Sequence, residues 1–311
     1  MTRPHLVASV AAPLVVALAA GWGTNPRTVD DVPAASSVVH PLTDVGGSLV
    51  VAAGDIACPP GSRVTATTCR DAATAAQAER YHPRFVFALG DEQYQTATSA
   101  DFRDGYAKTW GALRSITKPI PGNHEYKTAR AAGYYTYFEG RTTAPGYAAF
   151  DVGGWRVYAL NSNCDNISCS KENAWLSHDM TQHPRRCSAL LMHHPLYSSG
   201  LEHGDSPVGR RFWVTGLRHH ADLVLAGHDH DYERFRKMNA SGHASRSGLT
   251  SFVVGTGGKS LYPVRRLEPG SRVYDHHRAG VLALRLGTRR FGWQFRTVDG
   301  RLVDQGIAPC T

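Results

Sequence analysis

Short apolar runs alternate with helical patterns along most of this chain. Leu49 to Ala53, Arg84 to Leu89, Ser188 to Met192 and Asp222 to Ala226 are continuous apolar stretches of strand length, the pattern of strands buried on both faces. Between them, Asp71 to Arg80 is alanine-rich and reads as a helix. Ser99 to Leu113 and Ser170 to Thr181 read as helices that begin at serines suited to an N-cap. This alternation predicts an α/β fold. Two segments have a different texture: Tyr147 to Asn161 carries strand residues on both sides of Gly153-Gly154, and Phe291 to Ile307 does so around Asp299-Gly300. Both read as hairpins, so more than one sheet is expected. No internal repeat is visible, and no domain linker follows residue 47.

The N-terminal segment changes the picture from fold to compartment. Leu6 to Ala20 is apolar apart from Ser9, follows Arg3, and ends near the small-x-small sequence Ala17-Leu18-Ala19. Residues 1–20 therefore read as a secretory signal peptide, with an uncleaved anchor as the alternative. At fifteen residues with Pro13 inside, the run is short for a membrane span, so none is expected after cleavage. Residues 21–47, rich in Pro, Ser, Thr, Ala and Val, read as a flexible linker, and 48–311 as the folded domain. The protein is then expected to be secreted and extracellular, either free or held at the cell wall.

An exported chain with an even number of cysteines points to disulfides. There are six: Cys58, Cys69, Cys164, Cys169, Cys187 and Cys310. Fifteen connectivities are possible. Loop length favours Cys58 with Cys69 and Cys164 with Cys169, leaving Cys187 for Cys310. The spacings lack the paired C-x-x-C knuckles of a structural zinc site. Lys and Arg number 34 against 26 Asp and Glu, a net charge of +8. That favours an anionic partner or surface, or serves solubility alone.

Candidate chemistry sits where the strands end. Leu49 to Gly54 is followed by Asp55, Phe85 to Gly90 by Asp91, and Lys118 to Gly122 by Asn123-His124. Leu190 to Met192 is followed by His193-His194, and Leu223 to Gly227 by His228-Asp229-His230. In open α/β sheets ligands bind outside the carboxyl ends of strands, so these five ends are expected to converge. Two carboxylates, an amide and several imidazoles together describe a metal site. Val254 to Lys259 ends in Gly-Gly-Lys but lacks P-loop spacing, and reads as a tight turn after a strand. Tyr232-Glu233-Arg234 is expected to orient ligands, Asn161 to Asn163 to line the cleft wall, and the His219-His220 and His276-His277 pairs to lie at the surface.

In order, Gly54-Asp55, Gly90-Asp91-Glu92-Gln93-Tyr94, Gly122-Asn123-His124-Glu125, His193-His194-Pro195 and Gly227-His228-Asp229-His230 resemble the five blocks of the calcineurin-like metallophosphoesterases. Tyr94, three residues after the second aspartate, resembles the purple acid phosphatase branch. Ala57 departs from the glycine usual in that branch, which bears on local backbone geometry. The resemblance implies a four-layer α/β/β/α sandwich, two mixed sheets flanked by helices, with the site on loops at one sheet edge. It implies two metal ions bridged by both oxygens of Asp91. Asp55, Tyr94 and His230 would complete one site; Asn123, His193 and His228 would complete the other. A phenolate from Tyr94 favours Fe(III) in the first, beside a divalent Zn, Mn or Fe, although Tyr94 also suits a core aromatic.

The implied activity is hydrolysis of phosphate monoesters by direct attack of a metal-bound hydroxide, with Asn123, His124 and His203 binding substrate and His124 or His203 as proton donor. His194 is expected just behind the ligands. The expected partner is a small phosphate ester, with no nucleic acid required. A phosphodiesterase with the same centre is the alternative enzyme, and a basic module binding wall polymer or nucleic acid, its metals only structural, is the alternative outside catalysis.

Overall fold

Apolar runs spaced through the sequence become two stacked sheets. The computed structural model describes residues 40–264 and 266–310. The strands are β1 (Ser48–Ala53), β2 (Phe85–Ala88), β3 (Thr117–Pro119), β4 (Ala148–Val152), β5 (Trp155–Ala159), β6 (Cys187–Leu191), β7 (Leu223–Ala226), β8 (Tyr232–Phe235), β9 (Thr250–Val254), β10 (Ser271–Asp275), β11 (Gly280–Leu286), β12 (Arg290–Thr297) and β13 (Leu302–Pro309). One sheet has the order β13-β12-β11-β1-β2-β3, the other β10-β8-β9-β7-β6-β5-β4. β1, β2 and β3 are parallel, as are β5, β6, β7 and β9. The hairpins expected from Gly153-Gly154 and Asp299-Gly300 form as β4–β5 and β12–β13.

Side-chain alternation sorts each central strand between two cores. Val50, Ala52, Phe87, Leu89, Leu191 and Leu225 point into the layer between the sheets. Val51, Ala53, Val86 and Ala88 face α2 (Asp71–Glu79), α3 (Ser99–Asp104), α4 (Tyr106–Thr109) and α5 (Ala132–Tyr137). Leu190, Met192, Val224 and Ala226 face α6 (Cys169–Gln182) and α7 (Arg210–Arg218). The layers are thus α/β/β/α, each sheet mixed.

Several boundaries differ from the sequence expectation. The helix expected over Ser99 to Leu113 breaks at Gly105, because Gln93 Oε1 takes the N–H of Tyr106 at 2.7 Å and interrupts the helical ladder. Its cap is Thr98, whose hydroxyl accepts from Asp101 N at 3.0 Å, and that of α6 is Ser168. The linker expectation over 21–47 fails at its end: α1 (Pro41–Asp44) is a helical turn, Pro41 and Val45 are buried, and Arg285 Nε donates to Leu42 O at 3.0 Å. Residues 41–47 belong to the folded unit. The signal peptide over 1–20 and the rest of the linker lie outside the described residues. Among those described, no helix is long and apolar enough to cross a membrane.

The cysteines pair as Cys58–Cys69, Cys164–Cys169 and Cys187–Cys310, the connectivity that loop length favoured. The last joins the start of β6 in one sheet to the end of β13 in the other. Tyr232 and Arg234 both bond Asp304 of β13, at 2.6 and 2.7 Å, so they tie strands together rather than orienting ligands.

Inside α6, Glu172 turns inward and its Oε1 accepts Asn161 N at 2.7 Å. Burial pushes its carboxyl up to about 8, against that single bond. A group raised in this way binds more protons folded than unfolded, so its contribution favours the fold at low pH and is lost as pH rises from about 4.5 to about 8. We expect Glu172→Gln to shallow the decline of Tm across that window. An identical slope in the two proteins would show that Glu172 does not titrate this way.

Candidate metal centre

Five loops at the carboxyl ends of β1, β2, β3, β6 and β7 meet at one edge of the sandwich. The chain turns sharply there: Asp55, Asp91 and His228 have φ of 59°, 50° and 75°. Left-handed backbone costs a non-glycine residue of order 1–3 kcal/mol, and Asp and His tolerate it better than most. The turns aim side chains back over the strand ends. They need glycine beside them, since a Cβ on Gly90 would come within 2.5 Å of His193 Nδ1 and one on Gly122 would collide with Asp91 Oδ1. Ala57 needs no such freedom. Its N–H bonds Glu92 O at 3.0 Å and its C=O accepts Tyr94 N at 2.9 Å, so a methyl group replaces the expected glycine without disturbing the ladder.

Two groups of donors share one atom. Tyr94 Oη lies 2.9 Å from Asp55 Oδ1, from Asp91 Oδ2 and from His230 Nε2, and His230 Nε2 is 3.3 Å from Asp55 Oδ1. In the second group His193 Nε2 is 3.1 Å from Asn123 Oδ1, 3.2 Å from His228 Nδ1 and 3.5 Å from Asp91 Oδ2. Asp91 Oδ2 therefore faces both, while Oδ1 accepts the N–H of His124 at 2.8 Å. This corrects the expectation that Asp91 would use both oxygens: one is committed to the backbone.

The surroundings orient these donors. His193 Nδ1 bonds Leu89 O at 2.8 Å, which leaves Nε2 free to face the centre, and His230 Nδ1 bonds Ser260 Oγ at 2.8 Å with the same effect. Burial, then the adjoining His193, His194 and His203, hold His228 well below the ordinary imidazole range and so unprotonated, the form that donates a lone pair. Burial, then the charges of Asp55 and Asp91, push the Tyr94 phenol well up. A phenol so placed ionises only beside a cation. Hard oxygens and imidazoles around one shared carboxylate oxygen fit two adjacent cations. These are the seven side chains expected from the sequence, and no thiolate is among them.

The softer expectations divide. His124 Nδ1 is 2.7 Å from Gln95 O and its Nε2 is 3.9 Å from Asp91 Oδ2, so the ring borders the centre. His203 is exposed and stacks on His228 with ring centroids 4.0 Å apart. His194 is nearer than expected: it makes a group of potential donor nitrogens with His193 and His228, although its Nδ1 also bonds Ser162 Oγ at 2.7 Å. Asn163 Nδ2 donates to Pro121 O at 3.0 Å and so braces the Asn123 loop. The His276-His277 pair is half-buried to exposed, and His219 bonds Ser177 at 3.1 Å.

Sequence reasoning missed Glu125, Lys259, Ser260 and Tyr262. Glu125 stood inside the third block and could have been singled out as a buried acid. Its Oε2 accepts Asp91 N at 2.9 Å and Gly122 N at 2.7 Å, which locks two donor-bearing loops together. Lys259 carries only the Gly-Gly-Lys signal of a tight turn, and Ser260 and Tyr262 have no local signal. They arrive because the turn after β9 crosses the first loop, with Gly257 N on Gly54 O at 2.9 Å and Lys259 N on Asp55 O at 3.0 Å.

The profile of the calcineurin-like phosphoesterases, matched by residues 44–232, covers the five loops just described. The chain belongs to this family. Purple acid phosphatase 22 of Arabidopsis thaliana is 25% identical over 50% of this chain and 42% of its own length. The 3',5'-cyclic adenosine monophosphate phosphodiesterase CpdA of Escherichia coli (strain K12) is 22% identical over 66% of this chain and 76% of its own. Among solved structures, a purple acid phosphatase from yellow lupin (Lupinus luteus) seeds superposes with a TM-score of 0.66 at 17% identity, over 85% of this chain and 54% of that one. The fold is that of the metallophosphatases. The chain spans about half the length of the plant relatives it matches, or less.

Glu125→Ala would free Asp91 N and Gly122 N. Loss of such an orienting partner costs about 10–100-fold in metal affinity. Competition against a chelator should show this drop in a protein whose circular dichroism is unchanged. Equal affinities would leave Glu125 a packing residue.

Proposed function

We propose that this protein is an extracellular dinuclear metallohydrolase of phosphate monoesters. The observation that carries the reading is Asp91 Oδ2, held 2.9 Å from Tyr94 Oη in one donor group and 3.5 Å from His193 Nε2 in the other. When bound, the two cations supply charge that neutralises the phosphoryl oxygens and acidifies the attacking water. The chain's own groups do the rest. Asp55, Asp91, Tyr94, Asn123, His193, His228 and His230 hold the metals, and the Leu89 carbonyl and Ser260 hydroxyl fix the tautomers of two of them. His124, anchored through Nδ1, turns Nε2 toward the place of the phosphoryl group. Exposed His203, on the lip, delivers a proton to the leaving oxygen. No serine, threonine or cysteine nucleophile beside a base is found among these residues, so water attacks phosphorus directly.

Tyr94 supports Fe(III) in the first site with Zn, Mn or Fe(II) in the second. A second reading, hydrolysis of diesters, draws on the likeness to CpdA. Signal-peptide character in residues 1–20 and the three disulfides support secretion.

With para-nitrophenyl phosphate and its bis ester as rival substrates, we expect the monoester to turn over faster, activity to vanish on chelation and return with metal. Asp91→Asn should cost about two to three orders of magnitude in kcat, the scale on which one charge-stabilising group acts. Preference for the bis ester would install the diesterase reading, and absence of turnover on both would remove the hydrolase.

The holoprotein should show a visible phenolate-to-iron band that Tyr94→Phe bleaches. A colourless, iron-free protein with full activity would retire the iron assignment and leave the rest.

A further inference from the structure

Two rings that are not metal donors in the reading above close one side of the centre. Tyr262 stacks on His230, with centroids 4.0 Å apart and planes 9° apart. His203 stacks on His228 at 4.0 Å and 23°. The two outer rings meet each other edge to face, with centroids at 5.9 Å and planes at 62°. Each ring thus has one face covered by an imidazole of the centre, and together they make a continuous aromatic wall.

The wall is built from two loops held together by backbone. Leu201 N donates to Pro263 O at 3.1 Å, Gly200 and Val264 form a bridge, and Tyr262 N donates to His230 O at 3.0 Å. The lip is fixed from below as well, since Gly204 N donates to Asp229 Oδ2 at 3.0 Å. The rings are therefore positioned before any substrate arrives. His203 is exposed, and Leu201 beside it is 44% exposed, so the outer surface of this wall is partly apolar. Groups able to hydrogen-bond a phosphoryl oxygen stand elsewhere around the centre: Lys259 Nζ lies 5.2 Å over the Tyr94 ring, against which His124 also packs at 4.2 Å.

We propose that His203 and Tyr262 form the leaving-group subsite and that it selects phosphate esters whose alcohol carries a planar ring. This rests on the hydrolase reading. The phosphoryl group is drawn to the metals and to the His124 and Lys259 side, which leaves the alcohol portion against the wall. Ring stacking there adds binding that an alkyl chain of similar size does not obtain.

The test separates stacking from leaving-group chemistry by comparing benzyl and butyl phosphate, both esters of primary alcohols. In the metal-loaded wild type, kcat/KM should favour the benzyl ester by about five- to tenfold. Tyr262→Leu should bring the ratio near one, and Tyr262→Phe should keep it. A ratio cancels any loss common to both substrates, including partial unfolding of a variant. Benzylphosphonate and butylphosphonate, which are not hydrolysed, give the same comparison as dissociation constants. Turnover with a wild-type ratio near one, or with a ratio that Tyr262→Leu leaves intact, would overturn the subsite and spare the hydrolase. Ring preference among phosphonates without turnover of any ester would do the reverse. Absence of both ester turnover and phosphonate binding would remove both.

Discussion

Four of the candidate donors, Asp55, Asp91, Tyr94 and Asn123, follow strands of the six-stranded sheet, and His193, His228 and His230 follow strands of the seven-stranded one. The centre exists only where these two sheets are pressed face to face with their strand ends on one edge. The pressing agent is the apolar layer between them, built from Val50, Phe87 and Leu284 on one side and Val157, Leu191 and Phe252 on the other. Each such side chain contributes about 1.5–3 kcal/mol when fully buried. Close packing of that layer sets the distance across the donor cluster, because a core of this density leaves little room for sliding. The Cys187–Cys310 link joins the same two sheets at the opposite end of β6.

Holding donors this close works against the fold. Asp55, Asp91 and Glu125 are buried within one small volume, and three turns adopt left-handed backbone. Burial, followed by the Asp91 charge, pushes Glu125 up to about 8. Cations relieve that charge, so metal affinity and folding stability are linked: whatever binds the folded state alone stabilises it by mass action. The left-handed turns lie in the loops, while the site-bearing strands β1, β2, β3, β6 and β7 behind them pair without a register shift, a site set on a regular scaffold.

Family membership accounts for the five loops and for the two sheets that carry them. It leaves open the surfaces around them. Here those surfaces are the lip from Ser198 to Gly204 and the segment from Gly255 to Val264, bound to one another through Leu201 and Pro263. Glu233 of β8 holds the lip from beneath, with its carboxylate on Ser199 N at 2.8 Å and Ser199 Oγ at 2.6 Å. A buried strand residue thereby sets the position of an exposed histidine that borders the site.

By itself the sequence determined the strands whose apolar runs are continuous, the two hairpins, the disulfide pairs closed by short loops, and the residue types at the strand ends. These are local properties: periodicity, turn chemistry and loop length act between neighbours along the chain. Tertiary structure decided that a single oxygen of Asp91 faces both donor groups, that Glu125 ties two loops, that Gln93 breaks a helix at Gly105, and that Ser260 and Tyr262 reach His230. Each of those depends on the separation of segments many residues apart. That separation comes from how two apolar layers pack, and no pattern of spacing along one strand or helix encodes it.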